Sequence, residues 1–143
     1  MRLLSAVDAK HMAALHAQSF ERPWDALEMA AHIARDLCFG VDDNDRLAAF
    51  IILSRAADQA EILTLAVAKS AQQQGLGRQL LDAAAEQLRQ SRCSEIFLEV
   101  AEDNIAAIAL YRAAAGFEPI GRRPAYYRRA AGRIAAITYA KKL

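Results

Sequence analysis

The spacing of hydrophobic positions changes along the chain and divides it into alternating helices and strands. Apolar residues at helical spacing predict helices over residues 8–19, 25–37, 75–90 and 104–115. Short apolar runs bounded by turn residues predict strands at 1–4, 39–41, 47–53, 61–68, 95–100, 117–120 and 134–140. The order is therefore βααβββαβαββ. We expect one α/β domain over residues 1–143, a mixed and mostly antiparallel sheet flanked by helices.

Polar residues and glycines predict where several of these elements begin and end. Asp8 and Asn104 precede helices and are the predicted N-caps, and Gly116 is the expected end of the last helix. Residues 42–45 are predicted to form a turn between two strands. In the second helix, the positions at helical spacing that we expect to face the core are Leu27, Ala30, Ala31 and Ala34.

The composition excludes several classes of protein. Apolar residues make up 55% of the chain and the net charge is +1, which excludes a disordered chain. No stretch of 18 residues is free of charge, so no membrane span is expected, and the first residues lack the pattern of a leader peptide, so none is expected. Cys38 and Cys93 are too few and too far apart for a disulfide framework or a zinc cluster. We expect a cytoplasmic protein with no metal, whose cysteines are core or strand residues and whose His11, His16 and His32 lie on helix surfaces.

Charge is distributed unevenly along the chain. Residues 1–111 carry a net charge of −6, whereas residues 112–143 carry +7. The basic segment is predicted to include a loop before the last strand. Two interpretations remain open: a solvated basic loop, or a contact with a polyanion, either cofactor phosphates or RNA. We expect no DNA partner, because the excess of basic over acidic residues is confined to one tail and no nucleic-acid-binding motif accompanies it.

The stretch over residues 65–78 has the pattern of an anion-binding turn. A buried strand ends, a polar turn follows, and Gly75 and Gly77 open a long helix. Free N–H groups at the start of a helix bind phosphate, and glycines let a ligand approach the main chain closely. Neither a Walker loop nor the G-x-G-x-x-G fingerprint is present. The glycine pair alone is equally compatible with an ordinary strand-to-helix turn.

Three downstream residues carry candidate chemistry. Glu99 is a carboxylate within the apolar run 96–100, where it is either a proton acceptor beside a cleft or a residue on a partly wet sheet face. Tyr111 follows Asn104 by two helical turns, so both lie on the same side of the helix. Tyr111 is either a proton donor to a leaving group or a core aromatic, and Asn104 is first of all an N-cap.

Two motifs in this order resemble the GNAT superfamily of acetyl-coenzyme A-dependent N-acetyltransferases. The spacing Gln72-x-x-Gly75-x-Gly77 is similar to the pyrophosphate motif of that family. The segment Asn104-x-x-Ala107-x-x-Leu110-Tyr111, followed by Gly116-Phe117, is similar to its second signature. Within the superfamily, the bacterial ribosomal-protein-alanine N-acetyltransferases are the most similar type. The segments behind that likeness are Phe20 with Pro23-Trp24, Leu98-Glu99-Val100 and Arg123-x-x-Tyr126-Tyr127.

The resemblance implies a reaction and a set of roles. It implies acetyl-CoA as cosubstrate, with direct attack of a protein N-terminal α-amine, that of a ribosomal protein, on the thioester. It implies Glu99 as general base and Tyr111 as general acid. The residues that it implies for acetyl-CoA binding are Leu65, Ala66, Val67, Gln73, Gln74, Gly75, Leu76, Gly77, Arg78 and Asn104. Phe20, Trp24, Tyr126 and Tyr127 are candidate walls of the acceptor cleft, although core packing is an alternative for Phe20 and Trp24.

The chain departs from the family pattern at three places. Four residues, 112–115, separate Tyr111 from Gly116 where three are usual, Lys69 stands where proline is common, and Ile134 and Ala135 replace an acidic pair. Two rival functions remain open on these grounds. One is a GNAT enzyme that acetylates a small amine, an amino acid or a lysine side chain. The other is a non-catalytic acetyl-CoA-binding or RNA-contacting module.

Overall fold

A seven-stranded sheet runs through the molecule in a computed structural model that describes residues 1–114 and 116–143. In space the strands follow the order β1-β2-β3-β4-β5-β7-β6. Within the described residues, β4 and β5 form the one parallel pair, and the other neighbours are antiparallel. This agrees with the expected mixed, mostly antiparallel sheet. The strands are β1 Arg2–Leu3, β2 Leu37–Asp43, β3 Arg46–Ala56, β4 Gln59–Val67, β5 Glu95–Ala101, β6 Glu118–Arg129 and β7 Gly132–Lys142.

Helices cover both faces of the sheet. They are α1 Ala9–Ser19, α2 Ala26–Arg35, α3 Leu76–Gln90 and α4 Ile105–Ala113. Met12 of α1 and Met29 of α2 pack with Phe50 and Ile52 of β3 on one face. On the other face, buried residues of α3 and α4 pack with alternate residues of β3, β4, β5 and β7. Because each strand alternates its side chains, one sheet supplies both cores.

The sheet opens between β4 and β5. These strands pair only from Gln59 opposite Glu95 to Ile62 opposite Leu98, although β4 continues to Val67 and β5 to Ala101. Beyond Ile62 and Leu98 their main-chain groups have no partner strand on that side, because the two strands diverge. Unpaired main-chain groups attract a ligand or water, so the divergence sets the position of the site.

The basic segment before the last strand is a β-hairpin. We expected strands at 117–120 and 134–140 around a basic loop, and this prediction is wrong in its extent. Strand β6 runs to Arg129 and pairs with β7 up to Gly132. The reason is that β7 offers a partner along its whole length, which short-range propensity does not reveal. The predicted turn at 42–45 is confirmed in position and is shorter than expected: Asp42 and Asp43 belong to β2, and Asn44 and Asp45 alone connect it to β3.

The helix starts agree in part with the predicted caps. Asn104 caps α4, since its side chain accepts a hydrogen bond from the N–H of Ala107 at 3.2 Å. Asp8 does not cap α1 through its side chain. Its carboxylate instead accepts hydrogen bonds from the Ser5 N–H and from the guanidinium of Arg2. The ion pair with Arg2 therefore engages the carboxylate that the local sequence predicts as the cap of the helix.

The inward face of α2 differs from the predicted one. Leu27 is 81% exposed, whereas Met29 and His32 are buried. The spacing of the alanines in this helix does not predict which face is buried, because the free energy of an alanine side chain differs little between the core and water.

The end of α4 is the last point of difference. The helix stops at Ala113, and Gly116 adopts a positive φ of 88°. The extra residue suggested at this helix end involves Ala115, which lies outside the described residues. Among residues 1–114 and 116–143, no helix is long and apolar enough to cross a membrane.

Candidate active site

A cavity of about 700 Å³ occupies the opening between β4 and β5. Its floor is formed by Ile62–Leu65 of β4 and by Glu99–Ala101 of β5. Asn104 and Tyr111 of the α4 segment lie on one side of it. The two candidate acid–base residues, which are 12 positions apart in the sequence, therefore line the same space.

Glu99 lies where β5 leaves β4. Its Oε1 is 3.0 Å from Nε of Arg123, and the Glu99 side chain is 18% exposed while that of Arg123 is 60% exposed. The hydroxyl of Tyr127 donates a hydrogen bond to the main-chain oxygen of Glu99 at 3.4 Å. Because one carboxylate oxygen faces a flexible arginine at the surface, the carboxylate stays within reach of solvent and of an incoming amine.

Tyr111 is buried on the opposite side of the cavity. Its ring packs against those of Phe117 and Tyr139, at centroid distances of 5.9 and 6.2 Å. Burial raises the pKa of the Tyr111 phenol well above its usual value. The phenol therefore remains protonated at neutral pH and is able to donate a proton.

The free edge of β4 presents main-chain groups to the cavity. The N–H of Ala68 donates to the Ala48 oxygen at 2.7 Å, so this residue faces β3. By alternation, the main-chain groups of Ala66 also face β3, and those of Leu65 and Val67 face the gap. An extended chain that carries amide groups fits such an edge as an additional strand would. The side chain of Ala66 is buried toward α1.

The start of α3 leaves several main-chain N–H groups without a bond inside the helix. Gly75 is its N-cap with a positive φ of 80°, and no side chain caps the helix. The first intrahelical bond to Gly75 comes from the N–H of Gln79, which leaves the N–H groups of Leu76, Gly77 and Arg78 free. A 15-residue helix directs its positive dipole end to this point. We call residues 65–67, 73–78 and Asn104 the cofactor side.

Two side chains near this turn have structural partners. The guanidinium of Arg78 donates to the carboxylate of Asp82 and to the oxygen of Ala113, so it ties α3 to the end of α4. The main-chain N–H of Lys69 donates to Oε1 of Gln18 at 2.9 Å. A proline at position 69 has no N–H, so this departure from the family pattern adds a bond between α1 and the turn.

Aromatic residues from two distant segments wall the other side of the cavity. Phe20 and Trp24 come from the connection between α1 and α2, and Tyr126 and Tyr127 come from β6. A break in the register between Arg123 and Tyr127 includes Tyr126, and Tyr127 is paired again, with Ile134 of β7. We call residues 20–24 and 118–129 the acceptor side.

Arginines of β6 pair with acidic residues from the first part of the chain. Arg122 contacts Glu102 at 2.7 Å and Arg123 contacts Glu99 at 3.0 Å. Arg129 contacts Asp103 at 3.0 Å and Glu21 at 3.9 Å. Oppositely charged side chains from the two parts of the chain thus pair at the surface, where they are 18–60% exposed. These pairs involve three of the eight basic residues in 112–143, so a solvated basic surface and a polyanion contact both stay predictions.

The histidine prediction is wrong for two of the three residues. His11 is exposed as expected, but His16 and His32 are buried. His16 lies against the acceptor side, where Nδ1 accepts a hydrogen bond from the Trp24 N–H at 3.0 Å. Both rings stack on neighbours, which an isolated histidine in a helix does not indicate. Cys38 and Cys93 are buried and unpaired, in agreement with the predicted core or strand positions.

Comparison with known proteins places the chain in a family. The family model described as "Acetyltransferase (GNAT) family" matches residues 9–117. The chain belongs to the GNAT acetyltransferase family, and it is an N-acetyltransferase that uses acetyl-CoA. The split sheet and the uncapped helix start described above fit that cosubstrate.

Relatives that are similar in sequence include ribosomal-protein N-acetyltransferases. The chain is 37% identical over 119 residues to the [ribosomal protein bS18]-alanine N-acetyltransferase of Escherichia coli, covering 82% of this chain and 80% of that protein. It is 34% identical over 133 residues to N-alpha-acetyltransferase RimI of Mycobacterium tuberculosis, covering 87% and 82%. The crystal structure of the E. coli S18-alanine enzyme superimposes with a TM-score of 0.91 at 32% identity, over 99% of this chain and 91% of that chain.

The structure brings together only part of the predicted site. Residues that line the cavity are Phe20, Trp24, Leu65, Glu99, Asn104, Tyr111, Tyr126 and Tyr127. Ala66 and Val67 of β4 lie outside this lining, as do residues 73–78 around the start of α3. Sequence reasoning missed the partners His16, Thr64 and Arg129. His16 contacts Thr64 across 48 positions, and Arg129 contacts Asp103 across 26 positions, so no local pattern marks them.

Proposed function

We propose that this protein transfers the acetyl group of acetyl-CoA to the α-amine of a protein N-terminus, with a ribosomal protein as its acceptor. The observation that carries the proposal is the single cavity between β4 and β5, which has Glu99 and Tyr111 on its walls and an aromatic acceptor side. The printed names of the E. coli and M. tuberculosis relatives support an α-amine and, for the former, ribosomal protein bS18.

The chemistry of the amine supports an α-amine over a lysine side chain. An α-amine has a free pKa of about 7.7–8.0, whereas that of lysine is about 10.4. Near neutral pH the α-amine loses its proton much more easily. A single carboxylate, acting directly or through water, is adequate for that task, and Glu99 is the carboxylate at the point where β5 leaves β4.

Glu99 and Tyr111 have complementary roles in this proposal. Acetyl-CoA supplies the thioester carbon that receives the amine. Glu99 accepts the proton that the amine nitrogen loses as the N–C bond forms. Tyr111 gives its phenolic proton to the sulfur as the C–S bond breaks, and its raised pKa keeps that proton available. Glu99 then releases its proton to water and Tyr111 takes one up from water, so each residue ends in its starting protonation state.

The cofactor side has a role for each of its parts. The main-chain groups of Leu65 and Val67, with Ala66 between them, face away from β3 and are suited to the amides of the pantetheine arm. The Val67 oxygen also accepts a hydrogen bond from Nε2 of Gln72 at 3.4 Å. The N–H groups at Gln73, Gln74, Gly75, Leu76, Gly77 and Arg78 are suited to the pyrophosphate. Asn104 lines the cavity and uses its side-chain oxygen to cap α4, so its side-chain NH2 group is the part that would contact coenzyme A.

The acceptor side is suited to a peptide. Phe20, Trp24, Tyr126 and Tyr127 offer rigid contact area at low entropic cost, as aromatic residues do at peptide-binding surfaces. Tyr126 is 50% exposed although it is a large aromatic, which supports a contact surface over a core position. The first residues of an extended N-terminus would lie between the two segments of this side.

Incubation with acetyl-CoA and a panel of N-terminal peptides, read by mass spectrometry, tests the proposal. The panel includes the N-terminus of the ribosomal small-subunit protein bS18, the same peptide with its α-amine blocked, and a peptide with an internal lysine. We expect one acetyl group on the α-amine of the first peptide and none on the blocked one.

Two other outcomes would contradict the proposal. Acetylation of the blocked peptide, or of small amines and free amino acids in preference to the peptides, would assign the enzyme to a different acceptor. Binding of acetyl-CoA with no release of free thiol on any acceptor would indicate a binding module.

A further inference from the structure

A buried histidine connects the acceptor side to the edge of the cavity. His16, on α1, is 3% exposed and lies between the ring of Phe20 and the indole of Trp24. The ring centroids are 4.1 Å from Phe20 and 5.1 Å from Trp24, with interplanar angles of 13° and 19°. On its far face Trp24 stacks on His32 at 4.4 Å. Trp24 is thus held between two imidazole rings.

The hydrogen bonds of His16 define its protonation state. The main-chain N–H of Trp24 donates to Nδ1 at 3.0 Å, so Nδ1 carries no proton. A neutral ring then has its proton on Nε2, which lies 3.1 Å from the hydroxyl oxygen of Thr64 and donates to it. Burial lowers the pKa of His16 to about 4, so this neutral form is the one present at neutral pH.

The two partners of His16 belong to different parts of the site. Thr64 is on β4, in the stretch beyond Ile62 where β4 has left β5, and it lines the cavity. Trp24 belongs to the segment between α1 and α2, which has no strand partner of its own. The imidazole therefore joins an irregular segment to a rigid strand through both of its nitrogens.

We propose that His16 is a positioning residue for the acceptor. It fixes the position of Trp24 relative to Thr64 on β4 and so sets the width of the cavity at the acceptor side. This inference rests on the proposed function, because it assigns a task within the acceptor cleft. His16 does not touch the reacting atoms. Its loss should affect how well the acceptor binds and leave the chemical step intact.

Two substitutions separate the two hydrogen bonds. In His16→Asn the side-chain oxygen takes about the position of Nδ1 and keeps the acceptor for Trp24. In His16→Gln the longer amide places its nitrogen near the position of Nε2, which keeps the donor for Thr64 and loses the acceptor for Trp24. Thr64→Val removes the hydroxyl at nearly constant shape. His11→Gln, on the exposed face of α1, is the matched control.

The kinetic readout is the split between KM and kcat for the N-terminal peptide. An unsatisfied buried N–H is costly, so we expect His16→Gln to raise the peptide KM roughly tenfold, with kcat and the Kd of acetyl-CoA nearly unchanged. Thr64→Val should raise the peptide KM in the same direction. His16→Asn should be closer to wild type than His16→Gln, and His11→Gln should match wild type.

Trp24 is the only tryptophan in the chain, so its fluorescence gives a readout without catalysis. We expect the emission of His16→Gln to shift to longer wavelength as the indole gains water, with a smaller shift in His16→Asn. A wild-type peptide KM and emission in both His16→Gln and Thr64→Val would overturn the inference. A loss of kcat with unchanged KM and emission would also overturn it.

The two proposals fail in different ways. If the wild-type protein acetylates no N-terminal peptide, the proposed function fails, while the emission of the same variants still tests whether His16 positions Trp24. If His16→Gln does not fold, Thr64→Val carries both readouts, since it changes one hydroxyl at the cavity wall.

Discussion

The cofactor side and the acceptor side of the same cavity are built in different ways. The cofactor side consists of main-chain groups within one short stretch of sequence, the end of β4 and the start of α3, together with Asn104. The acceptor side consists of side chains from two segments far apart in the chain, which contact each other where Arg129 lies 3.9 Å from Glu21. Main-chain geometry tolerates sequence change, whereas a side-chain contact depends on both partners. The comparison predicts that the acceptor side is the part in which specificity differs between relatives.

The largest effect is expected where the two sides meet. Glu99→Gln removes the proton acceptor and keeps the size of the side chain, so we expect kcat to fall by about 10²- to 10⁴-fold. Steady-state kinetics at saturating peptide measures it. The Kd of acetyl-CoA serves as the control and should change little. An unchanged kcat would remove Glu99 from the chemistry.

Tyr111→Phe tests the residue opposite Glu99. The variant keeps the packing against Phe117 and Tyr139 and removes only the hydroxyl. Turnover should fall by a similar factor of about 10²–10⁴, because the sulfur then leaves without its proton donor. The melting temperature should remain near that of wild type. Near-normal turnover would leave Tyr111 as a core aromatic.

The pH dependence of stability tests the buried His16 on the acceptor side. Its pKa is about 4 in the folded protein and 6.5 ordinarily, so the unfolded chain binds the proton first as pH falls. The free energy of unfolding is therefore complete above pH 6.5, and roughly 2–3 kcal/mol of it is lost on the way down to about pH 4. Urea unfolding from pH 4 to 7 measures this loss.

His16→Asn is the reference for that measurement. Groups such as Asp8, whose pKa the Arg2 guanidinium lowers, contribute the same acid dependence to both proteins. The charge of His32, which also lowers the pKa of His16, is likewise present in both. The difference between the two curves isolates His16, and identical curves would mean that His16 titrates normally in the folded protein.

Gly75→Ala tests the main-chain design of the cofactor side. A Cβ at this position meets no atom within 4 Å, so the cost is the positive φ alone. We expect a loss of about 1–2 kcal/mol in stability and weaker acetyl-CoA binding, with the peptide KM unchanged. Gln73 also has a positive φ, of 62°, and Gln73→Gly is the matched control that should not weaken binding. Equal effects of both substitutions would contradict the argument.

The smallest effect is expected for the arginine contacts of the acceptor side. Arg129→Gln removes an ion pair with Asp103 that is partly exposed, so we expect the peptide KM to rise only about threefold. Arg133→Gln, on the neighbouring strand, is the control. If Arg129→Gln instead weakens acetyl-CoA binding, the division of the cavity into two sides is wrong, since Asp103 adjoins Asn104.

The fold was predictable from the sequence wherever a local pattern is sufficient. The strands and helices from residue 37 to residue 113 follow the spacing of apolar residues. Asn104 caps α4 through a hydrogen bond to the N–H three residues later, which is a local contact. The prediction failed at Asp8 and at the basic hairpin, where the outcome depends on Arg2 or on a partner strand. It also failed at Leu27, where an alanine-rich helix has no single preferred face.

The sequence by itself determined the order of elements, the turn with Gly75 and the positions of the candidate acid–base residues, because each is written within a few neighbouring residues. The tertiary structure alone decided that β4 and β5 separate beyond Ile62 and Leu98 and that three arginines of β6 pair with acidic residues from the first part of the chain. It also decided that His16 joins Trp24 to Thr64. These contacts link residues far apart in the chain, and their energy depends on a geometry that only the packed sheet creates.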